Sequence, residues 1–191
     1  SVVYRHPEWL MVPKTIAAEL WATDTHAPDY LGRLARWTRT NVDRVDGLYV
    51  SPLQSDAAVK MADDVRDIVR RYEFDGVYLD HVRFPGDDFD YGARSVGAFR
   101  EWVRGQVDLE RRRLADAQED LDPFAYPNAF PTEWRAFRWT QLTALLARIR
   151  NVVQSARPNA TVAAAVADVD VRRPDTDRLA DWRTWIDSGF V

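Results

Sequence analysis

The chain has 191 residues, a formal net charge of −4 and 46% hydrophobic residues, which is enough for one domain-sized core. Basic and acidic residues are interspersed, which argues against a nucleic-acid-binding surface, and no apolar run approaches the roughly 18 residues that a membrane span needs. The absence of cysteine excludes a disulfide framework and a thiolate metal site.

The first part of the chain predicts short strands separated by helices. An apolar run over residues 6–12 predicts a strand, residues 28–39 have helical spacing, and residues 45–52 form a turn and a second short strand. Asp56 is a suitable N-cap for a helix over residues 56–72. Its predicted apolar face contains Val59, Ala62, Val65, Val69 and Tyr72.

The stretch 74–85 has the pattern of a buried strand, with β-forming residues between a turn and Pro85-Gly86. Because strand side chains alternate, Val77 and Leu79 are expected on one face and Tyr78, Asp80 and Val82 on the other. Asp80 lies near the carboxyl end of this strand. In α/β barrels that end carries the chemistry, so Asp80 is a candidate catalytic residue.

The segment after Pro85 is acidic and irregular, and we interpret Asp87, Asp88 and Asp90 as a solvated loop. Their spacing also suggests a calcium loop, but the glycine and distal glutamate of an EF-hand are missing. Residues 94–116 are expected to be helical, and residues 117–131 read as a loop. The whole segment between Pro85 and residue 131 is a long insertion, and long insertions in α/β folds often carry functional residues.

The last third predicts a long helix, a strand and a final helix. Thr132 is expected to cap the long helix, and Asp168 and Asp170 follow a strand over residues 160–167. Asp177 is expected to cap the last helix, which ends at Gly189. The buried face of the long helix contains Phe137, Leu142, Leu145, Ile149 and Val152 or Val153, and that of the last helix Leu179, Trp182, Trp185 and Ile186.

Strands that alternate with helices indicate parallel βα units and an α/β fold. About four strands are visible, and Phe190-Val191 would begin another. We therefore expect a partial (β/α)₈ TIM barrel containing central βα units only, with residues 1–191 as a single segment truncated at both ends. A complete small open sheet is the alternative.

Four motifs resemble the glycosyl hydrolase-like family ten: His6-Pro7-Glu8-Trp9, Tyr49-Val50-Ser51-Pro52, the run from Asp75 to Pro85, and Asp181-Trp182-Arg183-Thr184-Trp185. The family consists of bacterial TIM-barrel proteins, usually secreted or lipid-anchored, some of which cleave peptidoglycan glycan strands. The resemblance implies that Asp80 follows the fourth barrel strand, with the long insertion after it. The chain departs from the family at Tyr78, where His is frequent, and at His81, where an aromatic residue or Asp is frequent.

Glycoside hydrolysis usually needs two carboxyl groups that flank the scissile bond. Asp80 is the candidate nucleophile or base, although a structural pair with Arg83 would also explain it. Asp168 is the candidate second carboxylate, and Asp170, Glu8, Glu133 or a residue beyond Val191 are alternatives.

The candidate substrate-binding residues are Tyr78, His81, Arg83 and Trp9. His81 could contact the sugar, hold Asp80 or be structural, and Arg83 could bind an acidic sugar or form a salt bridge. The many aromatic residues fit either a sugar-binding cleft or a large core.

The resulting expectation is a glycosidase that acts on a cell-envelope or extracellular polysaccharide, possibly peptidoglycan glycan strands, and is secreted, periplasmic or lipid-anchored. We expect no cofactor, no metal and no nucleic-acid partner. The alternatives are a noncatalytic carbohydrate-binding barrel and, less favoured, a barrel enzyme in which Asp80 holds a metal.

Overall fold

The computed structural model describes residues 2–166 and 179–191, and shows a helix-rich α/β protein. Its contacts divide the chain into two compact units. The first unit contains residues 1–54 and 88–137, and the second contains residues 55–87 and 138–191. The elements are α1 (Val2–Arg5), α2 (Lys14–Leu20), α3 (Pro28–Thr40), α4 (Ser55–Arg71), β1 (Gly76–Leu79), α5 (Ala93–Arg104), α6 (Leu109–Gln118), α7 (Ala125–Ala129), α8 (Pro131–Ala156), β2 (Thr161–Ala164) and α9 (Trp182–Asp187).

Strands β1 and β2 pair in parallel in the second unit. Gly76 is opposite Thr161 and Leu79 is opposite Ala164. A Cβ atom on Gly76 would lie 2.3 Å from Oγ1 of Thr161 and 2.7 Å from its carbonyl oxygen. Only glycine therefore allows the two backbones to approach this closely.

The core of the second unit lies between α4, α8 and this strand pair. Val77 and Leu79 pack against it, as the alternation predicted. The predicted face of α4 was partly wrong, because Val59 and Tyr72 are exposed. Two apolar stripes overlap along this helix, and spacing alone does not decide which one is buried. The buried core side chains are Ala58, Ala62, Val69, Leu145, Ile149, Val153, Ala160 and Val162.

The predicted apolar face of α8 is confirmed. The helix begins at Pro131, so Thr132 lies inside its first turn instead of capping it. Proline is favoured at this position because its missing N–H would have no partner there. The buried residues of the predicted face are Phe137, Leu142, Leu145, Ile149 and Val153.

The two predicted N-terminal strands are replaced by isolated bridges in the first unit. Residues Pro7–Trp9 form a 3₁₀ turn, and Leu10 then bridges Val50 in the antiparallel direction. Pro13 bridges Phe89 in the same way. Prolines 7, 13 and 52 lack an N–H group and have a fixed φ, which limits each pairing to a single bridge.

The long segment between β1 and α8 contains more helix than the sequence indicated. The region predicted as one helix breaks into α5 and α6, because Asp108 caps a new helix by accepting a hydrogen bond from the N–H of Arg111 at 2.9 Å. The stretch predicted as a loop contains α7. Phe99, Val103 and Val107 are buried, as their spacing predicted.

The last helix, α9, is shorter than expected. Asp181 caps it by accepting from the N–H of Thr184, and Gly189 follows it with φ of +64°, a conformation that favours glycine. Leu179 and Trp185 are buried as predicted, whereas Ile186 is exposed. Asp177 lies outside the described residues.

Candidate functional site

Asp80 directly follows the last paired residue of β1. The carbonyl oxygen of Leu79 accepts a hydrogen bond from the N–H of Ala165 at 2.8 Å, which continues the ladder to the end of both strands. The side chain of Asp80 is 62% exposed, so the carboxylate is open to solvent. The structure therefore places Asp80 at the carboxyl end of a parallel strand pair, where ligands of α/β proteins usually bind.

The chain leaves the strand direction at His81, earlier than the sequence pattern indicated. His81 has a φ of +58°, and its carbonyl oxygen accepts from the N–H of Arg83 at 2.8 Å. A left-handed non-glycine residue costs of order 1 kcal/mol or more. Such strained residues cluster at functional sites, which makes this turn a site candidate in its own right.

The turn brings the His81 ring back to Asp80. The main-chain N–H of His81 donates to Oδ1 of Asp80 at 2.8 Å, and Nδ1 of His81 lies 3.1 Å from Oδ2. In the described part of the chain these are the partners of the Asp80 carboxylate, and Arg83 is not one of them. A contact with Asp80 was one of the roles that the sequence left open for His81.

Tyr78 projects from β1 on the face opposite Val77 and Leu79. Its side chain is 69% exposed, so its ring is available for contact with a ligand. Aromatic rings with a polar tip suit sugar binding because they combine an apolar face with a hydrogen-bonding group.

A buried arginine anchors the segment that follows this turn. Arg138 on α8 is only 1% exposed, and its Nη1 and Nη2 donate to the carbonyl oxygen and Oδ1 of Asp87, both at 2.7 Å. Its guanidinium lies 5.8 Å from the ring centre of the buried Phe84. Sequence reasoning missed Arg138, although a charged residue beside the buried stripe of a long helix is a usable signal for a buried ion pair.

Trp9 lies inside the first unit, 6% exposed, and its ring stacks on His6 at 3.8 Å with an interplanar angle of 7°. Glu8 accepts from Nδ1 of His6 at 3.1 Å, and its Oε2 lies 3.4 Å from Nε2 of His26. Glu133 pairs with Arg111 at 2.9 Å.

The acidic loop is not simply solvated, contrary to the sequence interpretation. Asp88 pairs with Arg44 at 2.9 Å, and Asp90 is fully buried with φ of +75°. The Asp90 carboxylate accepts from the hydroxyl groups of Ser51 at 2.5 Å and Ser95 at 2.7 Å. These hydrogen bonds make burial of the carboxylate tolerable.

Asp168 and Asp170 lie outside the described residues. Within residues 2–166 and 179–191, no group of three or more His, Asp or Glu side chains is arranged to hold a metal ion. No helix in the same two ranges is both long and apolar enough to cross a membrane.

A family model described as glycosyl hydrolase-like 10 matches residues 5–191, which is nearly the whole chain. Comparison with curated proteins gave no significant match. The family match agrees with the resemblance carried by the four sequence motifs. The chain therefore belongs to the glycosyl hydrolase-like family 10.

Proposed function

We propose that this chain carries the site of a glycoside hydrolase, with Asp80 as the nucleophile or general base. The observation that carries this proposal is the position of the Asp80 carboxylate: it is solvent-accessible, it ends a parallel strand, and His81 orients both of its oxygens. A fixed, accessible carboxylate is what attack on an anomeric carbon, or activation of a water molecule, requires. Membership of a glycosidase-like family supports the same chemistry.

The proposed scaffold is a segment of a (β/α)₈ barrel, with residues 1–191 contributing central βα units. The parallel pairing of β1 with β2, two strands separated in sequence by helices, supports this scaffold. In such barrels the active site lies at the carboxyl ends of the strands.

Asp168 is the proposed second carboxylate because it comes four residues after the end of β2 in the sequence. Parallel neighbours end at the same edge of a sheet, so a residue that follows β2 is a suitable partner for one that follows β1. The distance between the two carboxyl groups would then decide the stereochemistry. About 5–5.5 Å corresponds to retention and about 6.5–9.5 Å to inversion.

The proposed substrate is a polysaccharide of the cell envelope or extracellular space, with peptidoglycan glycan strands as the first choice. The family resemblance supports this choice and a secreted, periplasmic or lipid-anchored location. We propose that Tyr78 offers an aromatic surface to the sugar and that Arg83 contributes a planar charged donor.

A noncatalytic carbohydrate-binding protein is the second candidate. The observation that favours it is the high exposure of Asp80 together with partners that come only from the neighbouring His81, within the part of the chain that the structure describes. Glycoside hydrolysis needs a second carboxyl group on the other side of the scissile bond, whereas binding of a carbohydrate does not.

The test is to incubate the protein with peptidoglycan glycan strands, chitin-type oligomers and plant β-glucans, and to measure new reducing ends and binding. The glycosidase proposal predicts new reducing ends from one polymer class. Binding of a polymer without any cleavage would support the second candidate and contradict the first.

A further inference from the structure

The segment 80–87 runs from the carboxyl end of β1 to the last residue of the second unit before the chain enters the first. The strand pair fixes where this segment begins, because the carbonyl oxygen of Leu79 accepts from the N–H of Ala165. Beyond that point the backbone turns at His81, which has a φ of +58°. A strained residue keeps its conformation only where the surrounding structure determines it. The far end of the segment therefore needs an anchor of its own.

Arg138 on α8 supplies this anchor. Its Nη1 donates to the carbonyl oxygen of Asp87 and its Nη2 donates to Oδ1 of the same residue, both at 2.7 Å. The guanidinium is planar and its donors are fixed relative to one another, so two such bonds set the direction of Asp87 as well as its distance. The guanidinium also lies 5.8 Å from the ring centre of the fully buried Phe84. Arg138 thus interacts with the segment at two positions.

The burial of Arg138 indicates that the pair contributes orientation more than stability. Arg138 is 1% exposed, whereas the side chain of Asp87 is 54% exposed. Removing a guanidinium from water is costly, and a half-exposed carboxylate offsets only part of that cost. An apolar side chain of similar volume at such a position often gives a protein that is as stable or more stable. The fixed geometry of the pair is what an apolar residue would not provide.

The segment carries the groups that orient the Asp80 carboxylate. The N–H of His81 donates to Oδ1 of Asp80, and the N–H of Arg83 donates to the carbonyl oxygen of His81, both at 2.8 Å. A change in backbone direction between residues 81 and 87 would therefore move both of these donors. Misplacement by about 1 Å can lower the rate of an enzyme by about 100-fold.

We propose that Arg138 is a positioning residue for Asp80. It acts through Phe84 and Asp87, which hold the turn at His81 and thereby the orientation of the carboxylate. The consequence for catalysis rests on the proposed glycosidase function, whereas the effect on the turn can be measured without any substrate.

The test on the turn is amide hydrogen exchange, followed by NMR, in the wild type and Arg138→Met. Methionine has a similar length and leaves no buried charge behind, and a melting curve checks that the variant is folded. Exchange of the N–H groups of His81 and Arg83 should become about 10-fold faster, because the far end of the segment is released. Wild-type exchange at both amides in the folded variant would overturn the proposal.

Arg157→Met is the matched control. Nε and Nη2 of Arg157 donate to the carbonyl oxygens of Val69 and Tyr72 at 2.9 and 3.0 Å, so this arginine also holds main-chain groups of the second unit. Both acceptors precede β1 in the chain, whereas Asp80 follows it. Exchange at His81 and Arg83 should keep its wild-type rate in this variant. An equal increase in both variants would indicate a general loss of stability and would overturn the proposal.

Arg138→Lys provides a second variant in case Arg138→Met does not fold. Lysine keeps the charge but has one nitrogen, which does not reproduce the two fixed donor directions of a guanidinium. The expected result is faster exchange at His81 and Arg83, by less than in Arg138→Met. Wild-type exchange in Arg138→Lys, together with an unfolded Arg138→Met, would show that the charge serves stability alone and would overturn the proposal.

Kinetics on a cleaved polymer separate this inference from the proposed function. Arg138→Met should lower kcat by about 10- to 100-fold and leave KM within about 2-fold, because alignment is lost while the binding surface remains. An unchanged kcat in the folded variant would support the glycosidase proposal and reject the positioning role. Faster exchange at His81 and Arg83 in a protein that cleaves no polymer would support the hold of Arg138 on the turn and contradict the glycosidase proposal.

Discussion

Substitution of Gly76 by alanine tests the strand pairing that positions Asp80. The new Cβ atom would lie 2.3 Å from Oγ1 of Thr161 and 2.7 Å from the Thr161 carbonyl oxygen. The threonine side chain can rotate away, but the carbonyl oxygen belongs to the backbone of β2. The two strands must therefore separate locally or shift.

The expected loss of stability combines two opposing effects. Overpacking of this kind costs about 1–3 kcal/mol. Replacing glycine also reduces the entropy of the unfolded chain, which stabilises by about 0.4–1 kcal/mol. The net loss is about 1–2 kcal/mol, and for a chain of this size about 2–4 °C per kcal/mol gives a decrease in Tm of about 2–8 °C.

The assay is urea unfolding of the wild type, Gly76→Ala, Thr161→Ala and the double variant. The cost of Gly76→Ala should be smaller in the Thr161→Ala background, since one of the two close contacts is gone. Gly32→Ala is the matched control. Gly32 lies in α3 with open space around its Cβ position, so this change should stabilise by about 0.5–1 kcal/mol. A Gly76→Ala variant that unfolds like Gly32→Ala, with no coupling to Thr161, would refute the register.

Three further predictions concern single hydrogen bonds and one titrating group. Asp108→Ala removes the cap of α6 and should cost about 1 kcal/mol in urea unfolding, with Asp108→Asn close to the wild type; equal losses for both would contradict the cap. Thr143→Val leaves the indole N–H of the buried Trp185, now 2.9 Å from Oγ1 of Thr143, without its acceptor. It should destabilise by about 1–3 kcal/mol, whereas Thr143→Ser should not. Burial, with the negative charges of Asp90 and Glu8, raises the pKa of Tyr30 to about 12, which predicts that stability falls as pH rises from 10 towards about 12, because the unfolded chain releases the phenolic proton first. Over this pH range the free energy of unfolding should fall by about 2–3 kcal/mol in the wild type, and this fall should be absent in Tyr30→Phe. The same pH dependence in Tyr30→Phe as in the wild type would contradict the prediction.

The sequence alone predicted an element correctly where strand- or helix-breaking residues and the spacing of apolar residues indicated the same structure. The strand at Gly76–Leu79 was predictable because a turn precedes it and β-forming residues alternate along it. The buried face of α8 followed from its spacing. Both features depend on neighbouring residues along the chain, which the sequence displays directly.

The carboxyl end of β1 was not predictable, and this affects the site. β-Forming residues continue beyond Leu79 as far as the breaker Pro85, so the composition gives no sign that the strand stops at Leu79. The left-handed φ of His81 depends on its surroundings in the fold. As a result, a contact between His81 and Asp80 was one of several roles that the sequence left open for His81, and the contact itself is seen only in the geometry of the turn.

The burial of two charged side chains was also not predicted from the sequence. Asp90 belongs to a run of acids that reads as a solvated loop, yet its partners Ser51 and Ser95 remove it from water. Arg138 reads as an ordinary helix charge, yet Asp87 holds it in the interior of the second unit. Ser51 and Asp87 lie 39 and 51 residues from the partners they meet, and composition carries no information on such long-range pairs.

The proposed catalytic role of Asp80 is tested by comparing reducing-end release by the wild type, Asp80→Asn and Asp67→Asn on the polymer that the protein cleaves. Asp67 is the matched control, since its side chain is 67% exposed on α4, close to the exposure of Asp80. We expect Asp80→Asn to lower the rate by about 100-fold or more without loss of fold or polymer binding, and Asp67→Asn to have no effect. Full activity in a folded Asp80→Asn protein would contradict the assignment of Asp80 as the catalytic carboxylate.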